Sequence, residues 1–173
     1  MNELLAKLRE VRIGLLLGVL TLVYGFGLGM TFGIAEDGIK GSLKADAAAV
    51  LETAYGGDEA AAGKVTSKSW VYFKRAHLHA NGLGTAAIAL ILLIGFVGRG
   101  DMLAKAASIM LGIGSLGYSM FWMFAGMRAP GLGGTGAAKE TLTWLAWPTS
   151  AFCMVGLVLA LVIVVMGLFA NRD

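Results

Sequence analysis

The sequence predicts an all-α membrane protein, a four-helix transmembrane bundle with up-down-up-down topology. Hydrophobic residues make up 57% of the 173-residue chain and charged residues only 14%, whereas soluble domains carry about 25% charged residues. Four stretches are long enough to cross the hydrocarbon core of a bilayer, which takes about 20 apolar residues. We expect the whole chain, residues 1–173, to form a single transmembrane domain.

The four predicted spans contain no acidic residue. They cover residues 13–34, 76–97, 103–126 and 144–170. The first apolar run is longer than the roughly 7–15 apolar residues of a cleavable signal peptide, so we expect it to remain as an anchor helix. Lys105 is the only lysine or arginine inside a span, and its aliphatic stem can carry the charge to the membrane surface.

The cations that flank the spans favour an N-terminus and a C-terminus on the inner side. The short inner segments hold Lys7, Arg9, Arg12, Arg99, Lys105 and Arg172. The outer cations are spread over longer loops, and Lys and Arg of short loops are retained on the cytoplasmic side. We therefore expect a multi-pass protein of a bacterial-type inner membrane, with both termini in the cytoplasm.

Residues 35–75 form the one large segment that the sequence places outside the membrane. Ser42 can cap a helix there, and apolar residues then recur at helical spacing until Gly56 and Gly57 stop it. This pattern predicts a short amphipathic surface helix at 43–55. We expect the second span to begin as a helix near Trp70, because Trp, Tyr and cations mark a membrane interface.

Glycines recur at four-residue steps along the first span. These positions are Gly14 and Gly18, followed by Gly25, Gly29 and Gly33. Small residues at this spacing let helix backbones approach closely. The pattern therefore predicts that the first span packs tightly against its neighbours.

Both histidines of the chain, His77 and His79, lie at the start of the second span. Ionisable groups within a membrane are costly, which favours a functional role for them. At 3.6 residues per turn the two rings point about 200° apart, so a regular helix cannot direct both to one metal ion. His77 instead shares a polar stripe with Asn81, four residues further on.

Soft sulfur ligands are concentrated in the same half of the membrane. Met30 lies near the end of the first span, and Met120, Met123 and Met127 lie at the end of the third. Methionine and histidine together can ligate haem or copper, so we predict His77, Met30, Met120 and Met127 as metal ligands. Methionine is also a common filler of apolar packing, which requires no metal.

Tryptophans add a second possible element to the site. Trp144 and Trp147 either anchor the fourth span at the interface or form the wall of a quinone-sized cleft beside His79. The complete set of predicted cofactor-binding residues is His77, His79, Asn81, Trp122, Met123 and Trp144.

The segment His77-Leu78-His79-Ala80-Asn81-Gly82-Leu83-Gly84 resembles the His-x-His-x-Asn-x-x-Gly openings of helices in the haem-copper oxidase and nitric-oxide reductase superfamily. A histidine ligates haem in such helices. The resemblance therefore implies a haem or quinone role for His77 or His79. The chain lacks the further histidines of a haem-copper core, which excludes an oxygen-reducing or NO-reducing centre.

The first functional hypothesis is an electron-transfer subunit that holds a b-type haem or a quinone near the outer face, chiefly through His77. The alternatives are a structural or assembly subunit without a cofactor and a copper-binding protein with a His/Met cluster. No Ser or Cys has a nearby base and no carboxylate pair lies within a span, so we expect no catalysis by the chain on its own. The expected partners are the lipid bilayer and either further copies of the chain or a larger membrane complex, and no basic patch indicates nucleic acid.

Overall fold

The computed structural model describes residues 2–98 and 102–169, with side chains from residue 5 onward. All regular structure within these ranges is helical. The helices are α1 (Asn2–Glu10), α2 (Arg12–Ala49), α3 (Leu51–Tyr55), α4 (Glu59–Val97), α5 (Met102–Arg128), α6 (Thr135–Glu140) and α7 (Thr143–Phe169). Four of them, α2, α4, α5 and α7, are long and apolar enough to cross a membrane, which confirms the expected number of such helices. Two cations of the predicted inner side, Arg99 and Arg172, lie outside the described residues. So does Ala170, the last residue of the fourth predicted span.

Each long helix packs antiparallel to the next long helix along the chain. Gly18 of α2 faces Ile88 of α4, whereas Gly29, further along α2, faces the earlier residue His77. The same opposite order of contacts relates α4 to α5 and α5 to α7. The long helices therefore form one bundle in which α5 contacts the other three.

The helices α2 and α5 cross almost backbone to backbone. A Cβ added to Gly112 would lie 2.6 Å from the Cβ of Leu17 and 3.0 Å from the carbonyl oxygen of Gly14. Beside this crossing, the hydroxyls of the buried residues Thr21 and Ser115 lie 3.3 Å apart. In a bilayer the hydrophobic effect does not drive helices together, because lipid tails are as apolar as the helix surface. Close backbone packing and hydrogen bonds between hydroxyls stabilise helix association instead.

Not every glycine in the four-residue repeat of the first span contacts another helix. Gly14, Gly18, Gly25 and Gly29 each face a side chain or backbone of another helix, whereas Gly33 has nothing within 4 Å of an added Cβ. The predicted packing surface therefore covers the apolar part of α2 and ends before Gly33.

Residues 35–75 differ from the expected lid with a separate surface helix. α2 bends at Ala35 (φ −127°, ψ 20°) and then continues to Ala49, so Ser42 lies inside a helix instead of capping one. α4 begins at Glu59, well before Trp70, because the Asp58 carboxylate accepts a hydrogen bond from the Ala61 N–H (2.9 Å) and caps it.

We use the name polar hairpin for three consecutive segments of the chain: residues 36–49 of α2, the whole of α3, and residues 59–75 of α4. Leu43 and Ala47 are buried on its α2 side, and Ala62 and Thr66 are buried on its α4 side. The first part of the helical periodicity, Leu43 and Ala47, thus marks a buried side of α2, whereas α3 has no buried residue. The residues predicted as a surface helix are helical, but they form the end of α2 and the whole of α3.

The tip of the polar hairpin bends back onto the loop that follows α5. Gly56 and Gly57 adopt positive φ angles of 60° and 80° and end α3. The Tyr55 hydroxyl donates to the carbonyl oxygen of Pro130 (2.7 Å), and partial burial raises the pKa of this hydroxyl above its ordinary value. Ala54 lies against Gly133, so the two loops at this end of the bundle are joined.

Candidate functional site

His77 is held against the backbone of α2. Its Nδ1 lies 2.8 Å from the carbonyl oxygen of Gly25, and since a carbonyl can only accept, Nδ1 carries the proton and donates it. A Cβ on Gly29 would lie 2.8 Å from Cε1 of the ring, so the imidazole occupies the space that the glycine leaves. The ring also packs edge-on to Phe32, with centroids 6.0 Å apart. His77 thus joins α4 to α2.

Asn81 lies on the same side of α4, as its four-residue spacing from His77 predicts. Its Nδ2 donates to the backbone carbonyl of His77 (2.9 Å). Its Oδ1 is buried against Gly25 and has no hydrogen-bond partner among the residues of the two described ranges. The polar stripe of His77 and Asn81 therefore faces the contact between α2 and α4. It does so although a buried acceptor left unpaired costs about 1–3 kcal/mol.

His79 lies on another side of α4, as the angular separation predicts. Its Nδ1 donates to the carbonyl oxygen of Arg75 (2.8 Å), which leaves Nε2 of the neutral ring as an acceptor. The ring lies 5.3 Å from the ring of Tyr118 and 6.0 Å from that of Trp122, measured between centroids. No side chain or backbone group in the described part of the chain forms a hydrogen bond to Nε2 of His79.

A cavity of about 290 Å³ opens beside His79, between α4, α5 and α7. We call it the His79 cavity, and its walls are His79, Leu83, Tyr118, Ser150, Cys153 and Met154. Met154 is 62% exposed, so the cavity opens onto the outer surface of the bundle. An apolar hollow with a few polar groups is typical of a small-molecule site.

Arg75 connects the His79 cavity to the polar hairpin. Its guanidinium lies over the ring of Trp122 at 4.9 Å and over the ring of Tyr72 at 5.4 Å. Its backbone carbonyl accepts the Nδ1 proton of His79. The indole Nε1 of Trp122 is buried without a hydrogen-bond partner in the described ranges. These contacts fix the aromatic wall on which His79 rests.

The predicted methionine ligands are spread over several surfaces. Met30 is 68% exposed, and Met127 lines a different hollow beside Leu43 and Phe73. Met123 accepts a hydrogen bond from the Tyr24 hydroxyl (3.1 Å). Met120 lies on α5 at intermediate exposure.

No hydrogen bond or aromatic ring contact within residues 5–98 and 102–169 joins His77 to Met30, Met120 or Met127. The same ranges contain no group of three or more His, Cys, Asp or Glu side chains that could hold a metal ion. The metal site of His77 and these methionines stays a prediction.

Of the predicted tryptophans, Trp122 lies beside His79, whereas Trp144 is 68% exposed and does not line the cavity. Sequence reasoning did not select Tyr118 or Ser150 as site residues. Tyr118 carries the clearer signal, since a phenol inside an apolar span needs a polar partner or a wet surface.

No protein-family model matches the chain. No curated protein matches it, and no solved structure does. Its class is therefore defined by the fold: four helices long and apolar enough to cross a bilayer indicate a multi-pass, all-helical membrane protein.

Proposed function

We propose that this protein is the membrane subunit of an electron-transfer system and that it binds a quinol in the His79 cavity. A quinol is a lipid-soluble flat ring with two hydroxyl groups. The observation that carries the proposal is that His79 lines an apolar cavity and that its Nε2 has no hydrogen-bond partner in the described residues, while its Nδ1 is held by the backbone carbonyl of Arg75.

The chemistry of His79 suits the hydroxyl form of the ring. Neutral Nε2 accepts a hydrogen bond from a quinol hydroxyl. Oxidation of a quinol to a quinone releases two electrons and two protons. The two electrons pass to a haem or iron–sulfur cluster of a partner subunit in the larger complex, Nε2 of His79 takes the proton of the hydroxyl that it binds, and the proton of the other hydroxyl passes to water at the open side of the cavity. The protonated Nε2 then donates a hydrogen bond to the new carbonyl. The hydroxyls of Tyr118 and Ser150 offer further hydrogen bonds on the same walls.

The size of the cavity favours a single ring over haem. Its volume of about 290 Å³ is just below the roughly 300–1,000 Å³ of ligand pockets, and a porphyrin consists of four linked pyrrole rings. His77, the residue that the first functional hypothesis favours, is packed against Gly29 and Phe32. We therefore place the ligand at His79.

Copper(I) is the second candidate ligand, because Cys153 and Met154 line the same cavity as His79. Imidazole, thiol and thioether groups are ligands that suit copper(I). This donor set differs from the metal ligands His77, Met30, Met120 and Met127 that the sequence predicts, although the sequence also places the soft ligands Cys153 and Met154 in the same half of the membrane.

We expect Ser150→Phe to abolish quinol binding, since the new ring fills the cavity. The matched control is Ala151→Phe, at the neighbouring exposed position of the same helix, which should bind like the native protein. Binding is measured by titrating decylubiquinol into the purified protein in lipid nanodiscs and following tryptophan fluorescence, which a ring beside Trp122 quenches.

Equal binding by both variants would reject the His79 cavity as the quinol site. If decylubiquinol does not bind the native protein but one equivalent of copper(I) does, and Cys153→Ser loses it, the copper function replaces the quinol function. If neither binds, the assembly role is the surviving hypothesis.

We also propose that the four long helices cross the membrane up, down, up and down, with both termini in the cytoplasm and the polar hairpin outside. The antiparallel packing of successive helices supports this topology. So does the clustering of Lys7, Arg9, Arg12 and Lys105 at one end of the bundle, because short cationic segments stay inside.

Labelling of an introduced cysteine tests this topology. In a Cys153→Ser background, Val50→Cys should react with a membrane-impermeant maleimide in intact cells, whereas Leu5→Cys should react only after permeabilisation. The reverse pattern would invert the topology.

A further inference from the structure

The first helix lies against the end of the bundle opposite the polar hairpin. Leu8 and Val11 pack on Gly95 of α4, and Val11 is almost completely buried. The Lys7 ammonium reaches the carbonyl oxygen of Phe96 (3.5 Å). These contacts hold α1 beside the start of α2 and leave its cations at the edge of the apolar surface.

A cavity of about 390 Å³ lies between this end of α1, the start of α2 and the start of α5. We call it the basic cavity, and its walls are Arg9, Glu10, Arg12, Ile13, Lys105 and Ile109. It is larger than the His79 cavity and shares no residue with it.

The charges of the basic cavity are unbalanced. Glu10 forms an ion pair with Lys105 (2.5 Å). No carboxylate in the described part of the chain forms an ion pair with Arg9 or Arg12. Among the residues whose side chains the structure describes, 5–98 and 102–169, the two guanidinium groups have no carboxylate partner, and their planar arrangement of donors suits phosphate oxygens.

The other wall of the basic cavity is apolar and continues into the exposed apolar surface of the bundle. Ile13 is 53% exposed and is the first residue of the apolar run of α2, which continues along the exposed side chain of Leu16. A ligand in the cavity therefore meets cations at one end and lipid-facing hydrocarbon at the other. A soluble phosphate would use only the first of these surfaces.

We propose that the basic cavity binds the phosphate headgroup of an anionic membrane phospholipid, with Arg9 and Arg12 on the phosphate and the acyl chains along Ile13 and Ile109. Basic pockets between membrane helices select anionic headgroups for this reason. The site is independent of the quinol proposal, because it lies at the other end of the bundle.

Native mass spectrometry of the purified full chain tests the site directly. Titration with phosphatidylglycerol should give one retained lipid, and phosphatidylcholine with the same acyl chains should be retained more weakly. The double variant Arg9→Gln, Arg12→Gln should weaken retention of phosphatidylglycerol about fivefold for each arginine replaced. The double variant Lys44→Gln, Lys64→Gln removes the same charge from exposed positions of the polar hairpin and should retain the lipid as the native protein does.

Two further measurements distinguish lipid binding from a loss of structure and from binding of free phosphate. Arg9→Lys, Arg12→Lys keeps the charge and should recover part of the binding, which a variant that had merely lost its structure would not do. Excess inorganic phosphate should not displace phosphatidylglycerol. Displacement by phosphate, equal retention of the two lipids, or equal loss in the Lys44 and Lys64 control would overturn the proposal.

Discussion

Replacement of His79 by leucine is expected to weaken decylubiquinol binding about 10- to 100-fold, because it leaves a quinol hydroxyl without its acceptor in an apolar cavity. An unpaired buried polar group costs about 1–3 kcal/mol, and each 1.4 kcal/mol is about a tenfold change in affinity. Leucine keeps the volume of the side chain similar, so the cavity itself should persist. The measurement is the fluorescence titration in nanodiscs.

The matched control for His79→Leu is His77→Leu, which should leave the affinity within about twofold. That variant loses the hydrogen bond to Gly25, and we expect it to lower the free energy of unfolding by about 1 kcal/mol. The variant at His79 should thus change the affinity for decylubiquinol, whereas the variant at His77 should change the free energy of unfolding. Loss of binding in His77→Leu with native affinity in His79→Leu would return the ligand to His77, the residue that the sequence favours.

The second large effect concerns the crossing of α2 and α5. Gly112→Val should lower the free energy of unfolding by about 3 kcal/mol, since it forces a branched side chain between Leu17 and the carbonyl oxygen of Gly14. The backbones there have no room to separate without breaking contacts along both helices.

Gly27→Val is the control for this effect, because nothing lies within 4 Å of a Cβ at Gly27. Both variants place valine in a helix interior, so the difference between them isolates the crossing. The measurement is equilibrium unfolding with sodium dodecyl sulfate in mixed micelles. Equal losses in the two variants would show that the close approach of α2 and α5 does not limit stability.

The four long helices could be predicted from the sequence because crossing a bilayer requires a run of apolar residues, whatever the neighbours are. The polar hairpin could not be predicted in the same way. The apolar side chains of Leu43 and Ala47 could be buried equally well against a membrane surface or against a second helix. The choice between these two partners depends on α4, which no local pattern specifies.

The candidate site, too, depends on contacts between helices that a local sequence pattern does not specify. Helical geometry correctly separates His77 from His79, and it places Asn81 with His77. It does not say which histidine faces a cavity, because that depends on the rotation of α4 against α2. Gly29 of α2 leaves room for His77, and Gly25 leaves room for Asn81 on the same side of α4, so that His79 lies toward Tyr118. The position of each methionine along its helix follows from the sequence, but the rotation of each helix against its neighbours does not.

The unbroken course of α4 from Glu59 to Val97 restricts how the chain can change in length. One residue inserted between Ala62 and Tyr72 would rotate everything before it by about 100° and move Ala62 off its partner helix. Seven residues, close to two full turns, would nearly restore the phase. The Gly56–Gly57 turn has no such requirement, so it is the natural entry point for an inserted tag or domain.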